Sequence, residues 1–194
     1  MIETRVLIGD AIEDALDALA RLRIEVFRDW PYLYDGDLDY ERGYLRTYRE
    51  SEAAILVGAF DGSRLIGAAT GTPLADHADN FAMPLAETGL NLGTIFYCAE
   101  SVLLPEFRGR GLGHRFFDMR EAHARALGFG WSCFCAVSRP EDHPLRPARY
   151  QPLDPFWRKR GYAPVDGAIA HFSWKDVDQS AEDQKPLQVW LRAL

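Results

Sequence analysis

The chain has 194 residues, 47% of them hydrophobic and 26% charged, which excludes a disordered chain and predicts one folded domain over 1–194. Its formal charge of −7 argues against nucleic acid as a main partner, because phosphate backbones need a basic face. No apolar run approaches spanning length, and the opening MIETRVLIGDAIEDALD has neither the basic nor the apolar region of a signal peptide, so a cytoplasmic protein with no membrane partner is the expectation.

Thr4–Ile8 reads as a first strand. Asp10 follows as a helix N-cap, with Glu13 as its reciprocal partner three residues on. Ile12, Leu16, Leu19, Leu22 and Val26 then repeat at helical spacing, giving a helix to about Arg28 with one apolar face. Trp30-Pro31-Tyr32-Leu33-Tyr34-Asp35-Gly36 breaks it. A second helix carries Tyr40, Tyr44 and Tyr48 at intervals of four, with Leu45 beside them. Ala53–Phe60 and Arg64–Thr72 are strand-like runs joined by Asp61-Gly62-Ser63, a hairpin signal. Pro73–Gly93 has no clear period. A stretch of that length in a folded domain is more often functional than idle, so a lid or specificity insert with one short helix is expected.

Thr94–Leu104 is the next strand. It runs through Leu104-Pro105-Glu106-Phe107 into Arg108-Gly109-Arg110-Gly111-Leu112-Gly113-His114, and an amphipathic helix from Leu112 to Leu127 closes at Gly128. Strand, glycine turn, helix is an arrangement that holds anions. Glycines at alternate positions let successive amides close on a phosphate, and the helix start adds free N–H groups and the positive end of its dipole. Arg108, Arg110, His114 and Arg115 add side-chain donors. The spacing is neither that of a P-loop, which needs Lys-Ser or Lys-Thr, nor that of a dinucleotide fingerprint, where His114 would have to be glycine.

Trp131–Val137 is a strand, Ser138–Pro155 is irregular, and Asp154-Pro155 caps a short helix Phe156–Arg160 stopped by Gly161. Ala168–Trp174 and Leu187–Arg192 alternate as strands, and the C-terminal stretch Leu187–Leu194 offers an edge that could pair in a homodimer. The three cysteines, Cys98, Cys133 and Cys135, lie in predicted strands and read as reduced, buried thiols. Cys133, Cys135 and His143 fit no common zinc spacing, so no metal is expected. The order β-α-α-β-β-β-α-β-α-β-β predicts an α/β fold with a mixed sheet flanked by helices.

Arg108-x-x-Gly111-x-Gly113 after Val102-Leu-Leu-Pro-Glu-Phe107, together with Phe156-Trp-Arg-Lys-Arg-Gly-Tyr162, resembles the GNAT superfamily of N-acetyltransferases, which use acetyl-coenzyme A. The resemblance extends over roughly residues 4–175. It implies a mostly antiparallel central sheet, with the pantetheine arm along Ser101, Val102 and Leu103. It assigns Arg108, Gly109, Arg110, Gly111, Leu112, Gly113 and His114 to the pyrophosphate, and a backbone N–H around Val102 or Leu103 to the thioester oxygen. It also implies direct transfer of the acetyl group to a primary amine of a small molecule or peptide. Trp30–Tyr34 and the tyrosine stripe would wall the acceptor site, unless those tyrosines are core packing only.

Glu100 is the carboxylate inside the central strand and the best general-base candidate, with a structural ion pair as its alternative role. The family often has an acidic tyrosine where this chain has Trp157. Tyr150 is then the candidate acid, with Asp142 and His143 as rivals. Trp157 also leaves open a second reading, a non-catalytic sensor that binds coenzyme A or an acyl form of it.

Overall fold

The computed structural model describes residues 1–77 and 79–194, and for Asp79 and Asn80 the backbone only. Three strands, β1 (Ile2–Leu7), β2 (Ile55–Asp61) and β3 (Arg64–Pro73), pair antiparallel in sequence order. Between β1 and β2 run α1 (Asp10–Phe27), α2 (Leu38–Tyr44) and α3 (Arg46–Glu50). The N-cap of α1 is Gly9, at φ 56°, with no side-chain cap. Asp10 is instead the first helical residue, where its charge faces the positive end of the helix dipole. The expected tyrosine-bearing helix is two short helices meeting at buried Leu45.

The described part of Pro73–Gly93 packs on the core. It contains 3₁₀ turns and the four-residue α4 (Asp79–Ala82). Phe81 stacks on Phe172, and Leu85 is fully buried. Apolar packing seats Phe81 and Leu85 on the core; Ala78 lies outside the described residues.

The expected strand Thr94–Leu104 is two pieces, β4 (Ile95–Tyr97) and β5 (Ser101–Leu103). Beyond the glycine turn come α5 (Leu112–Ala126), β6 (Trp131–Val137), α6 (Asp154–Lys159), β7 (Ala163–Trp174) and β8 (Asp183–Ala193). The α6 N-cap is Leu153, one residue before the Asp154 expected to cap it. The eight strands run β1-β2-β3-β4-β6-β8-β7, with β5 also on β3. Among the described residues only β4 and β6 pair in parallel, so the sheet is mixed and mostly antiparallel, as expected. Leu187–Leu191 of β8 is bonded to β6 on one side and β7 on the other. It therefore has no edge to offer a second chain; the sheet's free edges are β1 and β7. No described helix is long and apolar enough to cross a membrane.

Candidate active site

The break between β4 and β5 opens the sheet. β4 follows β6 as far as Cys98, whose N–H donates to Cys133 O at 2.8 Å. Then Thr70 faces two residues at once: Ala99 N–H donates to Thr70 O, and Thr70 N–H donates to Glu100 O, each at 3.1 Å. Two residues opposite one make a β-bulge, which bends the strand. Arg120 of α5, fully buried, pins it by donating from Nη1 to Thr70 O and Glu100 O and from Nη2 to Ser101 Oγ. Past the bulge, β5 bonds only to β3, and its other edge faces a cleft whose far wall is β6.

The cleft is large, about 1280 Å³, and includes Ser101, Leu103, Arg108, Cys135 and Val137 in its walls. Leu104 N–H donates to Ile66 O at 3.0 Å, so by the two-residue period of a strand Val102 also bonds towards β3. The groups of Ser101 and Leu103 then point into the cleft. Val102 is fully buried on the core side, so of the three residues expected to meet pantetheine, only Ser101 and Leu103 line the cleft.

At one end of the cleft lies the glycine turn. Gly109 and Gly111 have φ of 75° and 78°, a left-handed geometry that side chains resist. Gly111 is the N-cap of α5 and uses no side-chain cap. Among the described residues, no amide from Gly109 to His114 donates a hydrogen bond. Gly109, Gly111, Leu112, Gly113 and His114 line the cleft, with Arg108 and Arg149. Arg110 does not: its guanidinium turns back to Glu106 O at 3.2 Å and stacks on Phe107, leaving only its backbone for a ligand. Arg108 Nε donates to Leu103 O at 3.1 Å, tying the turn to β5.

Glu100 lies on the other side of the bulge. It lines a second, smaller cavity that meets the cleft at Phe27, Tyr32, Ala99 and Cys135. Its carboxylate is 5% exposed. Oε2 accepts from Tyr48 Oη at 3.0 Å and from Arg23 Nη1 at 2.9 Å, while Oε1 has no hydrogen-bond partner among the described residues. Arg23 is shared, because its Nε also binds Glu41 Oε2. The pairing explains how a carboxylate survives burial, and it leaves one Glu100 oxygen uncommitted.

The tyrosine stripe divides as it rises out of the core. Tyr48 is buried, Tyr44 is half-buried in the cavity wall, and Tyr40 sits at the mouth, 41% exposed. Burial pushes the Tyr44 and Tyr48 hydroxyls well above their usual range, and the Glu100 charge adds to it. His77 Nε2 stands 3.4 Å from Tyr44 Oη and 3.5 Å from Tyr48 Oη. Burial pushes His77 down to about 4, so it is neutral at pH 7.

Trp30–Tyr34 forms a clamped wall. Arg139 donates from Nε to Pro31 O at 2.8 Å and from Nη2 to Tyr32 O, and it pairs with buried Asp176. Trp174 Nε1 also donates to Tyr32 O, at 3.0 Å. Tyr32 thus sits at the junction of cleft and cavity, its hydroxyl raised first by burial. Tyr150 lines the cleft, with its ring 5.8 Å from Trp30, and burial raises its hydroxyl as well. Trp157 is packed against Phe134 and Trp190. Burial holds the Cys135 thiol at about 12, so it is not a thiolate at pH 7.

Sequence reading missed Arg23 and Glu41 as parts of this site. Arg23 had a signal, a charged residue four positions after Leu19 on the apolar face of α1, where only a buried partner makes sense.

Residues 17–146 match the acetyltransferase (GNAT) family. No curated protein matches the chain by sequence. Among solved structures, the PaiA N-acetyltransferase of Thermoplasma acidophilum, in complex with coenzyme A, is 15% identical with a TM-score of 0.54, over 100% of this chain and 99% of that one. The ribosomal-protein-alanine N-acetyltransferase of Brucella melitensis is 12% identical with a TM-score of 0.61, over 99% of each. An N-acetyltransferase of Staphylococcus aureus Mu50 is 9% identical with a TM-score of 0.59, over 98% of each. At these identities the likeness is one of fold.

Proposed function

The chain belongs to the acetyltransferase (GNAT) family, and from that premise we propose that residues 1–194 act as one domain that transfers an acetyl group from acetyl-coenzyme A directly to a primary amine. The observation that carries this reading is the run of uncommitted amides from Gly109 to His114 at the mouth of a cleft whose inner end reaches Glu100's cavity. Free amides at a helix start fit a diphosphate. An unpaired strand edge at Ser101–Leu103 fits an extended amide-bearing arm.

Acetyl-coenzyme A would supply the acetyl group as a thioester and a thiol as leaving group. The residues divide the rest of the work. Gly109–His114, with Arg108, hold the diphosphate. Ser101 and Leu103 pair with the arm, and the Ser101 N–H, at the bulge end of that edge, polarises the thioester oxygen in place of the Val102 or Leu103 N–H that the resemblance implied. Glu100 takes a proton from the ammonium of the acceptor, and the freed nitrogen lone pair forms the new C–N bond as the C–S bond breaks. The second proton that the nitrogen sheds balances the one the departing thiolate gains through a tyrosine hydroxyl. Tyr150 in the cleft and Tyr32 at the junction both keep their protons at neutral pH, and either can return one to the thiolate. Burial keeps the Cys133 and Cys135 thiols protonated, which argues against an acetyl-cysteine route through either.

Release of free coenzyme A from acetyl-coenzyme A in the presence of a panel of amines tests this reading. Amine-dependent release is expected. Tight binding of acetyl-coenzyme A with no transfer to any amine would support the sensor reading instead.

A further inference from the structure

The cavity around Glu100 has a composition that selects its occupant. Its walls are mainly aromatic, among them Tyr34, Tyr44, Phe81, Phe172 and Trp174. The charged side chains that line it are Arg23, Glu41 and Glu100, which leaves one unit of negative charge uncompensated. All three are more than nine-tenths buried, at 8%, 0% and 5% exposure. One guanidinium already satisfies one oxygen of each carboxylate. Glu100 Oε1 is left with no donor among the described residues, while Glu41 Oε1 and the Tyr34 hydroxyl influence each other without forming a well-made hydrogen bond. A surplus charge held in so dry a place calls for a cation with N–H groups to give. Ring faces around it favour the same ion.

We propose that this cavity, about 70 Å³ in volume, takes the ammonium end of the acceptor. The acceptor is a primary ammonium ion on an apolar body that extends beyond the cavity and carries no carboxylate of its own, held by Glu100 Oε1 and the charge of Glu41. The inference rests on the transferase reading and narrows it. One cation brings the pocket to neutrality. Once Glu100 has accepted the proton, the Arg23–Glu41 pair is neutral by itself, so no step leaves an unmatched buried charge. An amino acid would bring a third carboxylate among two, with one guanidinium already committed to both, and the pocket would exclude it. Glu41 is therefore a specificity residue that the cofactor does not touch.

The test uses matched pairs that differ only by the α-carboxylate: phenethylamine against phenylalanine, and 3-methylbutylamine against leucine. Turnover is read as released coenzyme A, and binding to the coenzyme A-saturated protein is read by calorimetry. The expected preference for the amine is ~100-fold or more in kcat/KM. Equal or better use of the amino acids overturns the inference and leaves the transferase reading standing. Amine binding without transfer, in the presence of acetyl-coenzyme A, overturns the transferase reading and leaves the pocket assignment standing. In Glu41→Gln, KM for phenethylamine should rise ~10–100-fold with acetyl-coenzyme A affinity unchanged. An unaltered KM in that folded variant removes Glu41 from the account. Should the variant not fold, the wild-type pairs decide alone.

Discussion

The cleft and the cavity meet at four residues, Phe27, Tyr32, Ala99 and Cys135, yet they are built from different materials. The cleft is wide and made in large part of backbone: an unpaired strand edge, a glycine turn and the start of a helix, with arginines at the rim. The cavity is small and made of side chains: tyrosines, phenylalanines and three buried charges drawn from α1, α2 and the bulge. In the proposed reading, the first offers dipoles and amides to an anion, and the second offers fixed negative charge to a cation. The bulge at Ala99–Glu100 sets them on opposite sides of one strand, so in that reading the opposite charges of two substrates do not compete for one site. The cofactor end depends on chain conformation, and the acceptor end on chemistry held in place by the core.

That division can be broken from either side. Replacing Glu100→Gln keeps the shape of the cavity and removes its base, so kcat should fall ~10²–10⁴-fold while the affinity for acetyl-coenzyme A changes little. Turnover at the wild-type rate across pH would remove Glu100 as the base. Gly111→Glu acts on the other side, placing a carboxylate at the anion site and a side chain at φ 78°. Titration should show acetyl-coenzyme A affinity reduced ~100-fold or more. The backbone strain alone, isolated in Gly111→Ala, should cost about 1–2 kcal/mol of stability.

The two tyrosines sharpen the comparison at its boundary. Tyr32→Phe and Tyr150→Phe each remove one hydroxyl and keep the ring. The acid should lose ~10–100-fold in kcat with KM unchanged, and the other should lose little. Wild-type kcat in both would mean that the thiolate leaves without a proton from either.

The smallest effect concerns His77, beside Tyr44 and Tyr48. Folded His77 stays neutral down to about 4, while in the unfolded chain it protonates near 6.5. Between these values the unfolded state binds more protons, so stability should fall as pH falls, by up to about 1.4 kcal/mol per pH unit. Thermal unfolding across that window should show a shallower slope for His77→Phe than for the wild-type chain, and equal slopes would place the acid sensitivity elsewhere.

The same division explains what could be read from the sequence. A site made of backbone needs particular residues side by side, and Arg108–His114 announces itself for that reason. Helices and strands were legible through their periods, as in Ile12–Val26. The bulge was not, because it depends on Arg120 reaching across to Thr70 and Glu100, a contact with no local trace. Glu100 was legible as a lone carboxylate in an apolar strand. Its partners Arg23 and Glu41 come from two different helices, and nothing in their spacing joins them. The caps at Gly9 and Leu153 were missed because they use backbone geometry, not the Asp side chains that follow them.

A crystal structure of the coenzyme A complex tests the central claim most directly. The account predicts diphosphate oxygens within hydrogen-bonding distance of the amides of Gly109–His114, the arm along Ser101–Leu103, and the sulfur beside Ala99, Cys135 and Tyr32. A diphosphate bound away from those amides, or an arm that leaves the edge of β5 unpaired, would contradict it.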